Sequence, residues 1–147
     1  MTAVATSRRT AIAFGVAIVL AAVGVGIAFL RQPEARPPGD VIATARGQYF
    51  TASFTSSVRP VPINTMHTWT VSIAGSEGRP VTDAAVKITG DMPGHGHGLP
   101  TAPVAREIGG GVYALEGMQF QMPGDWYVEL QIESAGRRDS VRFDFKL

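Results

Sequence analysis

The chain is 147 residues long, carries a formal charge of +1 and contains no cysteine. That length holds one small domain plus a tail, and the missing thiols exclude disulfides, zinc–thiolate sites and a cysteine nucleophile. A near-neutral charge offers no footprint for nucleic acid.

The first element is apolar. Thr10 to Leu30 carry no charged residue. As a helix they would span about 31 Å, enough to cross the hydrocarbon core of a bilayer. Arg8 and Arg9 lie in the tail 1–9, and Arg31 follows the run. This charge placement favours a cytoplasmic N-terminus and an exported C-terminal part. A cleaved signal peptide is the competing reading. Its apolar part is shorter, about 7–15 residues, and ends in small residues. Phe29-Leu30-Arg31 is a poor cleavage site, so an uncleaved anchor is favoured. Ser7-Arg8-Arg9 is only a thin match to a twin-arginine signal. The expected location is the inner membrane, single-pass, with residues beyond 30 in the periplasm.

Residues 31–47 hold Pro33, Pro37, Pro38 and Gly39 among charges, which reads as an extended linker. From 48 to 147 the pattern has period two. Strands are expected at Tyr49–Thr55, Thr68–Ala74, Ala85–Thr89, Val104–Ile108, Val112–Glu116, Trp126–Glu133 and Val141–Leu147. Gly109-Gly110-Gly111 marks a hairpin between two of them. About seven short strands separated by turns predict an all-β, immunoglobulin-like antiparallel sandwich. With the helix over 10–30, this gives a tail, an anchor, a linker and one β domain.

Asp91-Met92-Pro93-Gly94-His95-Gly96-His97-Gly98 stands out for its chemistry. Two histidines sit one residue apart in a glycine-rich loop, with a methionine ahead of them. His67 follows Met66, and Met118 and Met122 flank Gln119-Phe120-Gln121. Imidazoles and thioethers without thiols suit copper outside the cytoplasm better than zinc or iron. Antiparallel strands reverse direction in turn, so loops alternate between the two ends of a sandwich. Counted in this way, His67, His95, His97, Met118 and Met122 all reach one end, with Met92 in the same loop. The first strand's start then falls at the opposite end, where the linker enters, and the cluster would face away from the membrane. If the loop were extended, His95 and His97 would point to one face.

Each feature also has a plainer reading. His95 and His97 could be solvated turn residues. Met66, Met118 and Met122 could fill gaps in packing. Trp69 and Trp126 are expected to face each other in the core, while strict alternation leaves Phe120 and Tyr127 exposed. Asp91 and Asp125 lie near the cluster, where hard oxygen donors would shift the metal preference away from Cu(I); turn formation is their alternative role. No nucleophile elbow, phosphate loop, dinucleotide fingerprint or haem-attachment motif occurs, so no enzyme activity is expected.

The Met92-Pro93-Gly94-His95-Gly96-His97-Gly98-Leu99-Pro100-Thr101 stretch, with Gly111-Val112-Tyr113 and Met122-Pro123-Gly124-Asp125-Trp126, resembles a YtkA-like domain. This family is related to FixH-like membrane proteins. The resemblance covers roughly Thr68 to Phe145 and implies an exported, membrane-tethered, immunoglobulin-like sandwich. FixH-like relatives are associated with a copper-transporting ATPase and with haem-copper oxidase assembly, although they extend beyond this short plan. His95, His97 and Met92 match the family's loop; His67 enters from the strand count alone. Copper binding or delivery is the first expectation, with copper-handling or oxidase-assembly proteins as partners. A metal-free interaction module, docked on a membrane complex through the loop or an edge strand, is the second. An enzyme is a distant third.

Overall fold

Alternation of apolar and polar side chains pleats nearly the whole of the domain into strands. The computed structural model describes residues 43–56 and 58–147, all within a unit that runs from Pro33 to Leu147. The helix expected over 10–30 lies outside them, as does most of the linker. No helix of the described residues is long and apolar enough to cross a membrane.

The strands are β1 (Ala43–Arg46), β2 (Phe50–Ser56), β3 (His67–Gly75), β4 (Ala85–Met92), β5 (His97–Gly98), β6 (Val104–Gly109), β7 (Val112–Met118), β8 (Asp125–Ser134) and β9 (Arg137–Lys146). They pair antiparallel in two sheets, ordered β1-β2-β3-β7-β6 and β5-β4-β8-β9. Without β1 and β5, the order is that of the seven-strand constant-type immunoglobulin sandwich. All seven expected strands are present, each within a few residues of its expected bounds.

β1 and β5 are the additions. β1 lies inside the stretch read as linker. It pairs Ala43 with Phe54 and Arg46 with Thr51, so it runs down alongside β2 towards β2's start. The described chain therefore enters near the end where β2 finishes, not at the end where β2 begins. This removes the basis for turning the histidine end away from the membrane.

The core lies between the inner faces. Trp69, Val71 and Ile73 of β3 and Leu115 of β7 meet Val128, Leu130 and Ile132 of β8 and Val141 and Phe143 of β9, all buried. Each such side chain contributes about 1.5–3 kcal/mol relative to exposure. Trp69 and Trp126 are both buried, but they do not face each other directly. Phe120 sits between them, with ring centroids 5.4 Å from Trp69 and 5.2 Å from Trp126. Phe120 is fully buried, against the exposure that alternation suggested.

One end, here the lower, is tied by polar contacts. The Asp139 carboxylate at the start of β9 accepts backbone N–H bonds from Gln48, Tyr49 and Phe50 at 3.1, 2.7 and 2.9 Å. Tyr113 donates its hydroxyl to the Val81 carbonyl and accepts from the Ala84 N–H. The first clamp joins the two sheets and the second ties β7 to the β3–β4 connection, both away from the histidines.

Candidate metal centre

The opposite, upper end collects the imidazoles and thioethers. β3 begins there with His67, preceded by Met66; β4 ends there with Met92. A turn over 93–96 then carries His95, and β5 opens with His97. β7 ends there with Met118, and Met122 precedes β8. The sheets meet at this end through Trp126 against Phe120, Trp69 against Phe145, and a 3.3 Å bond from the Gln121 side-chain amide to the Gly98 carbonyl. All three histidines of the chain, and every methionine among the described residues, stand at this one end. The strand count placed them at one end because β1 precedes every strand it used and β5, two residues folded back on the end of β4, does not carry the chain to the other end.

Depth separates these side chains. His95 and His97 are exposed, and so is Met66. Met122 is half-buried. His67, Met92 and Met118 are buried, with 8%, 3% and 0% of their surfaces accessible. The six proposed ligands therefore share an end but not one open pocket. Among the described residues, no three His, Asp or Glu side chains gather into a metal-holding group. The donors available here beyond the imidazoles are thioethers.

The turn that carries His95 is short and hydrogen-bonded. Its His95 and Gly96 N–H groups both reach the Met92 carbonyl, at 2.9 and 3.2 Å. Met92 pairs with His97 across the hairpin. The two imidazoles stack with centroids 6.4 Å apart and an interplanar angle of 16°. A turn, rather than the extended segment considered from sequence, sets them side by side.

Met92 turns inward, and Gly124 explains how. A Cβ on Gly124, whose φ is +138°, would collide with the Met92 terminal methyl. Two residues on, the Trp126 indole N–H donates to the Met122 carbonyl at 3.1 Å. The Met-Pro-Gly-Asp-Trp stretch thus folds back on itself and seats the methionine of the histidine loop. Met92 and Met118 both belong to the hydrophobic core cluster; for Met118 this is the packing role that the sequence offered beside ligation, and for Met92 it is new.

His67 is set differently. Its ring lies 5.7 Å from Phe120 and 6.1 Å from Trp69, centroid to centroid. Nδ1 is 3.0 Å from the Thr65 carbonyl oxygen. A carbonyl only accepts, so Nδ1 carries a proton, and in the neutral ring Nε2 then keeps its lone pair. That Nε2 is buried without a partner, as are Trp69 Nε1 and Gln121 Oε1. These are the three such side-chain atoms among the described residues, and all belong to the upper end. Each costs about 1–3 kcal/mol in lost solvation.

A cleft of about 710 Å³ opens at the lower end of β4, β8 and β9, beside Lys87, Gln131, Glu133, Arg138 and Ser140. Arg138 there pairs with Glu133 at 2.9 Å, and both side chains are largely exposed. The cleft is remote from every histidine, so its size does not mark the chemistry.

No curated protein matches the chain. Among solved structures, the crystal structure of a DUF4426 family protein from Pseudomonas aeruginosa aligns with 70% of this chain and 94% of its own, at 16% identity and a TM-score of 0.49. The YtkA-like family model matches residues 47–131. This span runs from the β1–β2 turn into β8 and takes in all three histidines together with Met66, Met92, Met118 and Met122. With more than half its length matched, the chain belongs to the YtkA-like family.

Proposed function

We propose that this YtkA-like chain is a copper-binding or copper-delivering protein, held at the periplasmic face of the inner membrane by a helix over 10–30. One observation carries the reading: every histidine and every described methionine stands at the upper end of the sandwich. His95 and His97 would hold the ion at the surface, with Met66 and Met122 as the accessible thioethers of that end. The donor chemistry fits. Soft thioethers and imidazoles favour copper, whereas a hard-cation site would need clustered carboxylates. The spacing fits too. Two imidazoles sharing an ion about 2 Å from each ring nitrogen have centroids about 5–6 Å apart. The observed 6.4 Å closes to that with a small rotamer change on a turn.

On this reading the protein binds and passes on rather than catalyses, and its partners are copper-handling or oxidase-assembly proteins of the same membrane. The test is a titration of the purified full chain with Cu(I) and with Cu(II) against a competing chelator. His95→Ala/His97→Ala is run in parallel. Surface-site binding should be lost in the variant, while its melting temperature stays unchanged because both rings are exposed. Undiminished affinity in the variant would sink this site.

A second reading is supported by the β6 edge. Val104 and Ile108 lie exposed there, at 64% and 48%, on a strand edge that is unpaired among the described residues and suited to strand addition. A metal-free accessory subunit of a membrane complex would lose its partner on Val104→Lys and keep it in the presence of chelator.

A further inference from the structure

The upper end holds its soft donors in two tiers, and the buried tier has features that packing alone leaves unexplained. His67 is more than nine-tenths buried, and its Nε2 lone pair has no partner. The Thr65 carbonyl fixes the tautomer that leaves Nε2 bare. This is the arrangement by which a ligating histidine is oriented, with the far ring N–H donated to a backbone carbonyl.

The residue directly opposite His67 across the β3–β7 ladder is Met118, and its position is contrived. Trp69 pairs with Leu115 but His67 pairs with Met118, so β7 carries one residue more than β3 over this step. The extra residue is a bulge at Glu116-Gly117, with Gly117 at φ +83°. Without it, period-two alternation from Leu115 would send Met118 to the outer face. With it, Met118 turns inward beside His67 and is fully buried. Bulges re-aim side chains in this way next to functional sites.

We propose that His67 Nε2 and Met118 form an internal site for a soft monovalent cation of the Cu(I) type, distinct from the His95/His97 pair. Trp69 and Phe120, with ring centroids 6.1 and 5.7 Å from that of His67, wall it, and aromatic rings favour a desolvated monovalent cation. The same walls offer nothing to replace the water shell of a hard divalent ion. The inference rests on the copper reading for the kind of cation, but its residues are separate.

The experiment uses Ag(I) as a redox-inert probe on the isotope-labelled full chain. Long-range proton–nitrogen NMR of the imidazoles and the methionine methyl signals give the readout, with tryptophan fluorescence alongside. Before addition, His67 should show a protonated Nδ1 and a bare Nε2. With Ag(I), the His67 Nε2 and Met118 methyl signals should move together and the fluorescence should fall. His95→Ala/His97→Ala should keep these changes. Met118→Leu preserves core volume and folding. It should weaken this step by at least roughly tenfold, the scale for disturbing a metal site. His67→Gln should abolish it.

A proton found on Nε2, or His67 and Met118 signals indifferent to Ag(I), would overturn the internal site while leaving the surface site standing. Ag(I) binding that survives in the His95/His97 variant and vanishes in His67→Gln would uphold it. Should His95→Ala/His97→Ala also match the wild type in total copper affinity, the surface reading alone would fall.

Discussion

Single residues decide how tightly the two sheets are closed at the lower end. Asp139 is the clearest case. Its desolvation raises the carboxyl pKa, but N–H bonds from Tyr49, Phe50, Gln48 and Ser140 outweigh this and hold it below the ordinary carboxylate range. A carboxylate with a lowered folded pKa stabilises the fold above its unfolded pKa of about 3.8, and this contribution is lost as pH falls through the folded value. Asp139→Asn should therefore destabilise the domain at neutral pH by roughly 1–3 kcal/mol. The gap to wild type should begin to narrow below about pH 4, where the unfolded chain takes up the proton, and close as pH falls through the lower folded value. Urea denaturation at pH 7 and pH 3 checks both halves; an unchanged gap would mean that charge is not what Asp139 supplies. Nothing local in Arg138-Asp139-Ser140 announces this role, because its partners lie about 90 residues earlier in the chain.

At the level of elements, the alternation of β3 and β8 was legible, whereas the end of β7 was not. Leu115, Met118 and Phe120 share the inner side only because Gly117 absorbs a residue in a left-handed conformation. A non-glycine residue is strained there. Gly117→Ala should cost about 1–2 kcal/mol, read as a lower urea midpoint with unchanged slope. Gly94, which has open space around it and no positive φ, is the control: Gly94→Ala should leave the midpoint in place. Equal midpoints for the two variants would show that the bulge tolerates a side chain. Phe120 was misread for the same reason, since alternation counted across a bulge inverts inside and outside.

For the whole molecule, connectivity brings distant residues to one end, and packing then sorts them by depth. Thioether oxidation follows exposure. Under limited peroxide, peptide mass spectrometry should find Met66 oxidised first and half-buried Met122 next. Met92 and Met118 should stay reduced until the fold opens. Early oxidation of Met118 would contradict the buried tier on which the internal site depends. The β1 strand acts at this scale too. By adding one antiparallel pass before β2 it reverses where the chain enters, so the orientation of the histidine end is not a matter of counting seven strands.

Sequence alone determined the all-β class, the seven principal strands, the family resemblance and the gathering of all three histidines at one end. These depend on period-two alternation, turn residues and the reversal of direction at each hairpin, all local rules that the chain obeys almost throughout. Tertiary structure decided depth: that His95 and His97 are surface groups while His67, Met92 and Met118 are core. Burial depends on which face a bulge selects and on what the other sheet sets against it. It decided the His67 tautomer as well, because that proton is placed by a carbonyl acceptor whose position only the folded loop defines. It alone revealed Asp139, whose partners are neighbours in space and strangers in sequence.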